Sequence, residues 1–227
     1  MTKILTVAEL ALREILRRRS VLVILTLLPL AFYFSRREDH LGQSIRFVCL
    51  GIGWALSTAA LFAGSAARGI EPRLRLSGYR PHHLHLGRLV ALWTVGVGLS
   101  VPYFALIRFD QHDVRYGAIA LIMMLTVAVA APFGLALSAV VPRELEGTLV
   151  LLTVVGLQMI MDPAGAASRL LPFWFSREIG TYAIDHTDGG YLTRGLMHGI
   201  VLTLALTALV AVASGIRLRQ RSHLKFM

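Results

Sequence analysis

Six long apolar runs, none with an ionisable residue at its centre, constrain this chain more than any other feature. They lie at residues 20–35, 47–67, 86–107, 116–141, 147–162 and 196–216. About 20 apolar residues cover the hydrocarbon core of a bilayer. A charge at the centre of such a segment costs ~2.5–3.5 kcal/mol on the insertion scale. A water-soluble domain keeps about a quarter of its residues charged, whereas 16% are charged here. The expectation is an all-α membrane protein: a single transmembrane domain over 1–227 with six transmembrane helices. The first and fifth runs are short, and flanking residues are expected to complete them.

The distribution of charge then orients the chain. The formal net charge is +10, which in a soluble protein would suggest nucleic-acid binding. With the N-terminus in the cytoplasm, the inner segments 1–19, 68–88, 142–146 and 217–227 hold 15 Lys and Arg against 5 Asp and Glu. The outer segments hold 8 of each. All the excess falls on one side, as the positive-inside rule requires of a multi-pass protein with both termini cytoplasmic. Nucleic acid is therefore not needed as a partner, whereas membrane lipids are. The single Cys49 lies inside an apolar run, so no intrachain disulfide forms and redox chemistry is not expected.

The non-spanning segments have patterns of their own. Residues 1–19, "MTKILTVAELALREILRRR", lack a following cleavage site and are not a signal peptide. On a helix, Thr6, Glu9, Arg13 and Arg17 share one face, and Ile4, Val7, Ala8, Ala11, Ile15 and Leu16 share the other. Glu9 and Arg13 have the favourable i,i+4 order. This predicts an amphipathic helix at the inner interface, acting either as a connecting element or as a plain anchor for the first span. Residues 163–195 form an outer loop, long for a bundle connection. Its aromatic cluster "LPFWF" and breaks at Pro163, Pro172 and Gly189–Gly190 predict short interfacial or re-entrant helices. Residues 217–227 form a basic cytoplasmic tail.

The inner loop at 68–85 is the most heavily punctuated stretch. In "EPRLRLSGYRPHHLHLGRL", residues 71–89, Pro72 suits a first helical position and Gly78 the residue just beyond a helix end. Between them a helix of about two turns carries Arg73, Leu74, Arg75 and Leu76. A turn follows, and Pro81 opens the helix of the third span. A loop that only reconnects two spans needs a few polar residues. One with its own capped helix, beside Leu74, Leu76 and Tyr79, is expected to meet a partner. A basic patch on anionic lipid is the alternative, and the two readings can coexist.

These motifs, in this order, resemble the membrane subunits of type-two ABC exporters. The resemblance rests on Glu9–Arg13, on Glu71, Leu74–Gly78, Pro81 and Leu86–Leu89, on "PRELEGTL" with Glu144, and on "LPFWF". It covers nearly the whole chain, and its strength lies in the order of the motifs. The chain departs from the family at the end of span five, where "MIMDP" stands in place of a Gly, an aromatic residue and Pro. The resemblance implies that the helix at 71–78 is a coupling helix docking on a separate ATP-binding subunit. Glu71, Arg73, Leu74, Arg75, Leu76, Ser77, Gly78, Tyr79 and Glu144 would form that contact, backed by Glu9, Arg13 and Arg17 of the connecting helix. The chain has no G-x-x-x-x-G-K-S/T loop, so ATP and its Mg would be bound by the partner, in two copies. A second permease subunit, the same or similar, would complete an exporter in a bacterial plasma membrane. This chain would not itself be catalytic.

Gly53, Ser57, Ala60 and Gly64 form a small-residue stripe in the second span, facing either a second copy or a neighbouring helix. Gly195 and Gly199, beside His198, form a second such pair. Thr58, Thr94, Ser100, Thr153 and Gln158 interrupt apolar spans and are candidates to line a path, although most could instead bond a carbonyl one turn back. Few aromatic residues among them favour a lipophilic cargo: a drug, a peptide antibiotic or a lipid. His82, His83 and His85 lack a fourth ligand for zinc and read as solvated loop residues, so no metal is expected. No acid or histidine lies mid-span, which argues against an ion-coupled secondary transporter. A six-span intramembrane serine protease using Ser100 and His198 is a further alternative.

Overall fold

The computed structural model describes residues 2–35, 37, 41–141, 143–162 and 165–219. The described elements are helices: α1 (Thr2–Arg17), α2 (Arg19–Phe34), α3 (Leu41–Ala67), α4 (Glu71–Leu76), α5 (Pro81–Asp110), α6 (Tyr116–Val140), α7 (Glu144–Ile160), a 3-10 turn (Ala166–Leu170), α8 (Trp174–Ile184) and α9 (Gly189–Arg219). Four of them, α3, α5, α6 and α9, are long and apolar enough to cross a membrane. α2 and α7 are apolar but hold 16 and 17 residues, about 24–26 Å of helix against ~30 Å of hydrocarbon. Each apolar run thus lies on a helix, and α3, α5 and α9 extend several residues beyond the expected bounds. Pro142, Pro163 and residues 220–227 of the basic tail lie outside the described residues.

Side-chain contacts fix the direction of each helix. α2 and α3 are antiparallel, with Phe32 against both Phe47 and Trp54 and Pro29 against Gly51. α5 runs parallel to α2: Tyr103 donates to the Thr26 carbonyl and Gln111 to Tyr33. α6 runs parallel to α3, and α9 parallel to α6, with Gly199 at Leu125. The chain therefore passes alternately between two ends of one bundle, one bearing α1 and α4, the other bearing α8.

α3 and α6 are the centre. Of their apolar windows 67% and 72% are buried, against 11% for α9. Their close approach is written in small residues. Ser57 Oγ donates to the Ala130 carbonyl at 3.0 Å, Gly134 lies against Ser57 and Ala60, and Gly64 lies against Ser138. The stripe predicted on the second span thus packs inside the bundle, and Gly53 meets the Phe173 ring. With that face occupied, it is not a surface for a second copy. Gly195 and Gly199 likewise seat Ile179 and Phe175.

The 163–195 segment folds inward. Ile184 reaches Gly42 near the start of α3, Arg46 bonds Thr181 at 3.0 Å, and Phe173 sits at Gly53. α8 therefore runs antiparallel to the first half of α3, burying Phe175, Ile179 and Ala183. Gln158, near the end of α7, accepts a hydrogen bond from the Phe173 N–H at 3.2 Å. α8 thus continues along α3 from the level at which α7 ends. Together α7, from Gly147 at Leu61, and α8, to Ile184 at Gly42, line α3 over most of its length.

Candidate functional site

The site begins with a turn that only particular residues permit. Gly78 has φ +82°, a left-handed conformation that costs a residue with a Cβ roughly 1 kcal/mol or more. It lets Gly78 N–H reach the Arg75 carbonyl at 3.0 Å and Tyr79 N–H reach the Leu74 carbonyl at 3.1 Å, so the last carbonyls of α4 are satisfied. Pro72 lies in the first turn of α4 and Pro81 opens α5. The helix–turn–helix expected from the sequence is present, with α4 slightly shorter than two turns.

Two interactions hold this unit against the bundle. Glu71 is buried, with 3% of its surface exposed, and accepts a 2.6 Å bond from Arg88 of α5. From the other side α1 reaches over. Lys3 Nζ donates to the Gly78 carbonyl at 3.0 Å and lies over the Tyr79 ring, while Val7 and the Ile4 carbonyl fill the notch at Gly87. α1 is amphipathic as predicted. Val7, Ala8 and Ile15 are buried, Thr6, Glu9, Arg13 and Arg17 are exposed, and Glu9 pairs with Arg13 at 2.5 Å. Leu16 departs from the expected face and is exposed.

What α4 presents outward is a mixed surface. Leu76 is 90% exposed, flanked by exposed Arg73, Arg75 and Ser77, with Leu74 and Tyr79 half-buried. Glu71, predicted to touch a partner, faces inward instead, and its role here is to anchor α4 to α5. Glu144 is exposed at the start of α7, where Arg143 and Glu146 pair at 3.4 Å.

The candidate path residues do not converge. Thr58, Thr94, Ser100 and Thr153 each donate to the carbonyl four residues back. Thr94 and Thr153 are on the outside of the bundle, and Ser100 is buried. Gln158 serves the turn before α8. Ser100 and His198, the serine-protease candidates, are engaged separately: Ser100 with Gly96, and His198 with the Arg169 carbonyl at 3.0 Å and the Trp174 ring. Among the described residues no group of three or more His, Cys, Asp or Glu converges as a metal site. His85 is not a solvated loop residue. It is buried on the first turns of α5, with Nε2 lacking a hydrogen-bond partner.

Three polar features were not anticipated from sequence. Arg68 donates to the Ser138 and Val141 carbonyls, placing a cation where the α6 dipole is negative. At the other end Asp110 accepts from Tyr33 and Arg37. Glu178 of α8 is buried and pairs with Arg194 at 2.8 Å. Arg68 had a visible signal, as the first cation after a long apolar run. Glu178 had none, since its burial depends on α8 folding back into the bundle. Compared with known proteins, the sequence matches no protein-family model and no curated protein.

Proposed function

We propose that this chain is the permease subunit of an ATP-driven ABC exporter, with its α4 end in the cytoplasm of a bacterium and both termini on that side. A second permease subunit and two ATP-binding subunits complete the machine. The observation that carries this reading is α4. A short, capped helix at the end of the bundle leaves Leu76 in the open, yet is tied to a long helix by the Glu71–Arg88 pair and clamped by α1. An exposed leucine among arginines suits a groove on a partner protein, and the rigid tie suits a lever. Closure of the ATP-binding subunits on ATP would push α4, and the ion pair would pass the displacement to α5. The cargo is lipophilic: a drug, a peptide antibiotic or a lipid.

A photo-crosslinking amino acid at position 76 tests the reading in native membranes. Capture of an ATP-binding polypeptide is expected. Leu76→Asp is expected to leave folding within about 0.5 kcal/mol, as for an exposed site, while uncoupling ATP hydrolysis from transport. Capture of lipid alone, with unaltered transport by Leu76→Asp, would overturn it.

A further inference from the structure

On the flank of the bundle, between α1, α2 and α3 at the α4 end, lies an open groove of about 520 Å³. Its walls are apolar, made by Ile15, Leu25, Leu28, Trp54, Ala59 and Ala63 among others. The wall formed by α3 runs from Trp54 to Ala67, about 20 Å of helix, more than half of a ~30 Å hydrocarbon core. α1 packs mainly on α5 and makes few contacts with α2, so the groove is a gap that no other part of the described chain fills.

The polar groups lining it are Glu14, Arg18, Arg88 and Thr148, together with Thr58 deeper in. Arg88 is already matched by Glu71 at 2.6 Å. Arg18 is different. It stands at the break between α1 and α2, within the run Arg17–Arg18–Arg19, and its partner Glu14 is an exposed neighbour one turn back at 2.7 Å. Such exposed pairs are weak, and Arg17 and Arg19, both exposed, flank Arg18 in sequence without lining the groove. Arg18 puts a weakly paired cation at the mouth, and the channel behind it is greasy. Water has little to bond to along these walls, so in a bilayer a hydrocarbon chain fills the space.

We propose that this groove is a binding site for one acyl chain of an anionic phospholipid drawn from the leaflet at the α4 end, with its headgroup phosphate against Arg18. The bound chain would complete the packing between α1 and the α2–α3 pair. The proposal does not depend on the transport reading.

Trp54 in the groove wall provides the probe. A Trp93→Phe, Trp174→Phe protein keeps Trp54 as its single tryptophan and is reconstituted with phosphatidylglycerol or phosphatidylcholine brominated in mid-chain. Phosphatidylglycerol is expected to quench Trp54 at a several-fold lower mole fraction. Arg18→Gln should remove about fivefold of that preference, the equivalent of one arginine at the surface. Ala63→Leu, which fills the groove, should abolish it. Equal quenching by the two lipids, or quenching unchanged in Ala63→Leu, would overturn the proposal. Should the double Trp replacement fail to fold, native mass spectrometry of the unaltered chain and of Ala63→Leu decides instead. Retained phosphatidylglycerol lost in the variant supports the site, and identical lipid retention refutes it.

Discussion

Glu71 and Arg88 show how much one pair can determine. Both side chains are nearly out of solvent, with 4% and 13% exposure, and the 2.6 Å contact between them offsets part of their desolvation. Removing one partner of a buried pair costs about 3–5 kcal/mol, largely because the remaining charge is stranded. Arg88→Met should therefore lower the thermal midpoint of the purified protein sharply, and Glu71→Gln in the same chain should recover part of the loss. If Arg88→Met unfolds at the temperature of the unaltered protein, α4 is not held as described. Arg13 and Glu9 provide the contrast. Their pair is exposed on α1, and Glu9→Gln should change stability by well under 1 kcal/mol.

Among the elements, α3 and α6 set the bundle. Their backbones approach where Gly134 meets Ser57 and Ala60, and a larger side chain would have to push the axes apart. Overpacking of this kind costs about 1–3 kcal/mol. Gly134→Leu should lower the thermal midpoint, whereas Gly156→Leu on α7, where a Cβ meets open space, should not. Equal effects at the two positions would mean that the α3–α6 contact is looser than described. α8 makes a different point. It is only 11 residues long, yet it fills the space beyond α7 and carries a buried carboxylate paired with Arg194.

For the whole molecule, the question is which end faces which side. Native Cys49 is buried, so it gives little background to an impermeant maleimide. Ser77→Cys, beside the exposed end of α4, should label only when the cytoplasmic face is open. Asp113→Cys, at a fully exposed side chain in the α5–α6 turn, should label in intact cells. The reverse pattern would invert the molecule and remove the charge argument for its orientation. The alternating directions of the helices place these two sites at opposite ends of the bundle.

The sequence by itself determined the helical class, the position of every long apolar helix and the turn at residues 71–81. Those depend on local matters: runs of apolar residues, prolines at helix starts and a glycine where φ must be positive. Tertiary structure alone decided what depends on distance along the chain. It turned the Gly53–Gly64 stripe inward onto α6 and Phe173, drew Glu71 away from the surface to Arg88, buried His85, folded α8 back beside α3 and opened a groove beside Trp54. A small or polar residue has the same local chemistry whichever neighbour it meets, so only packing between remote helices could assign it a partner.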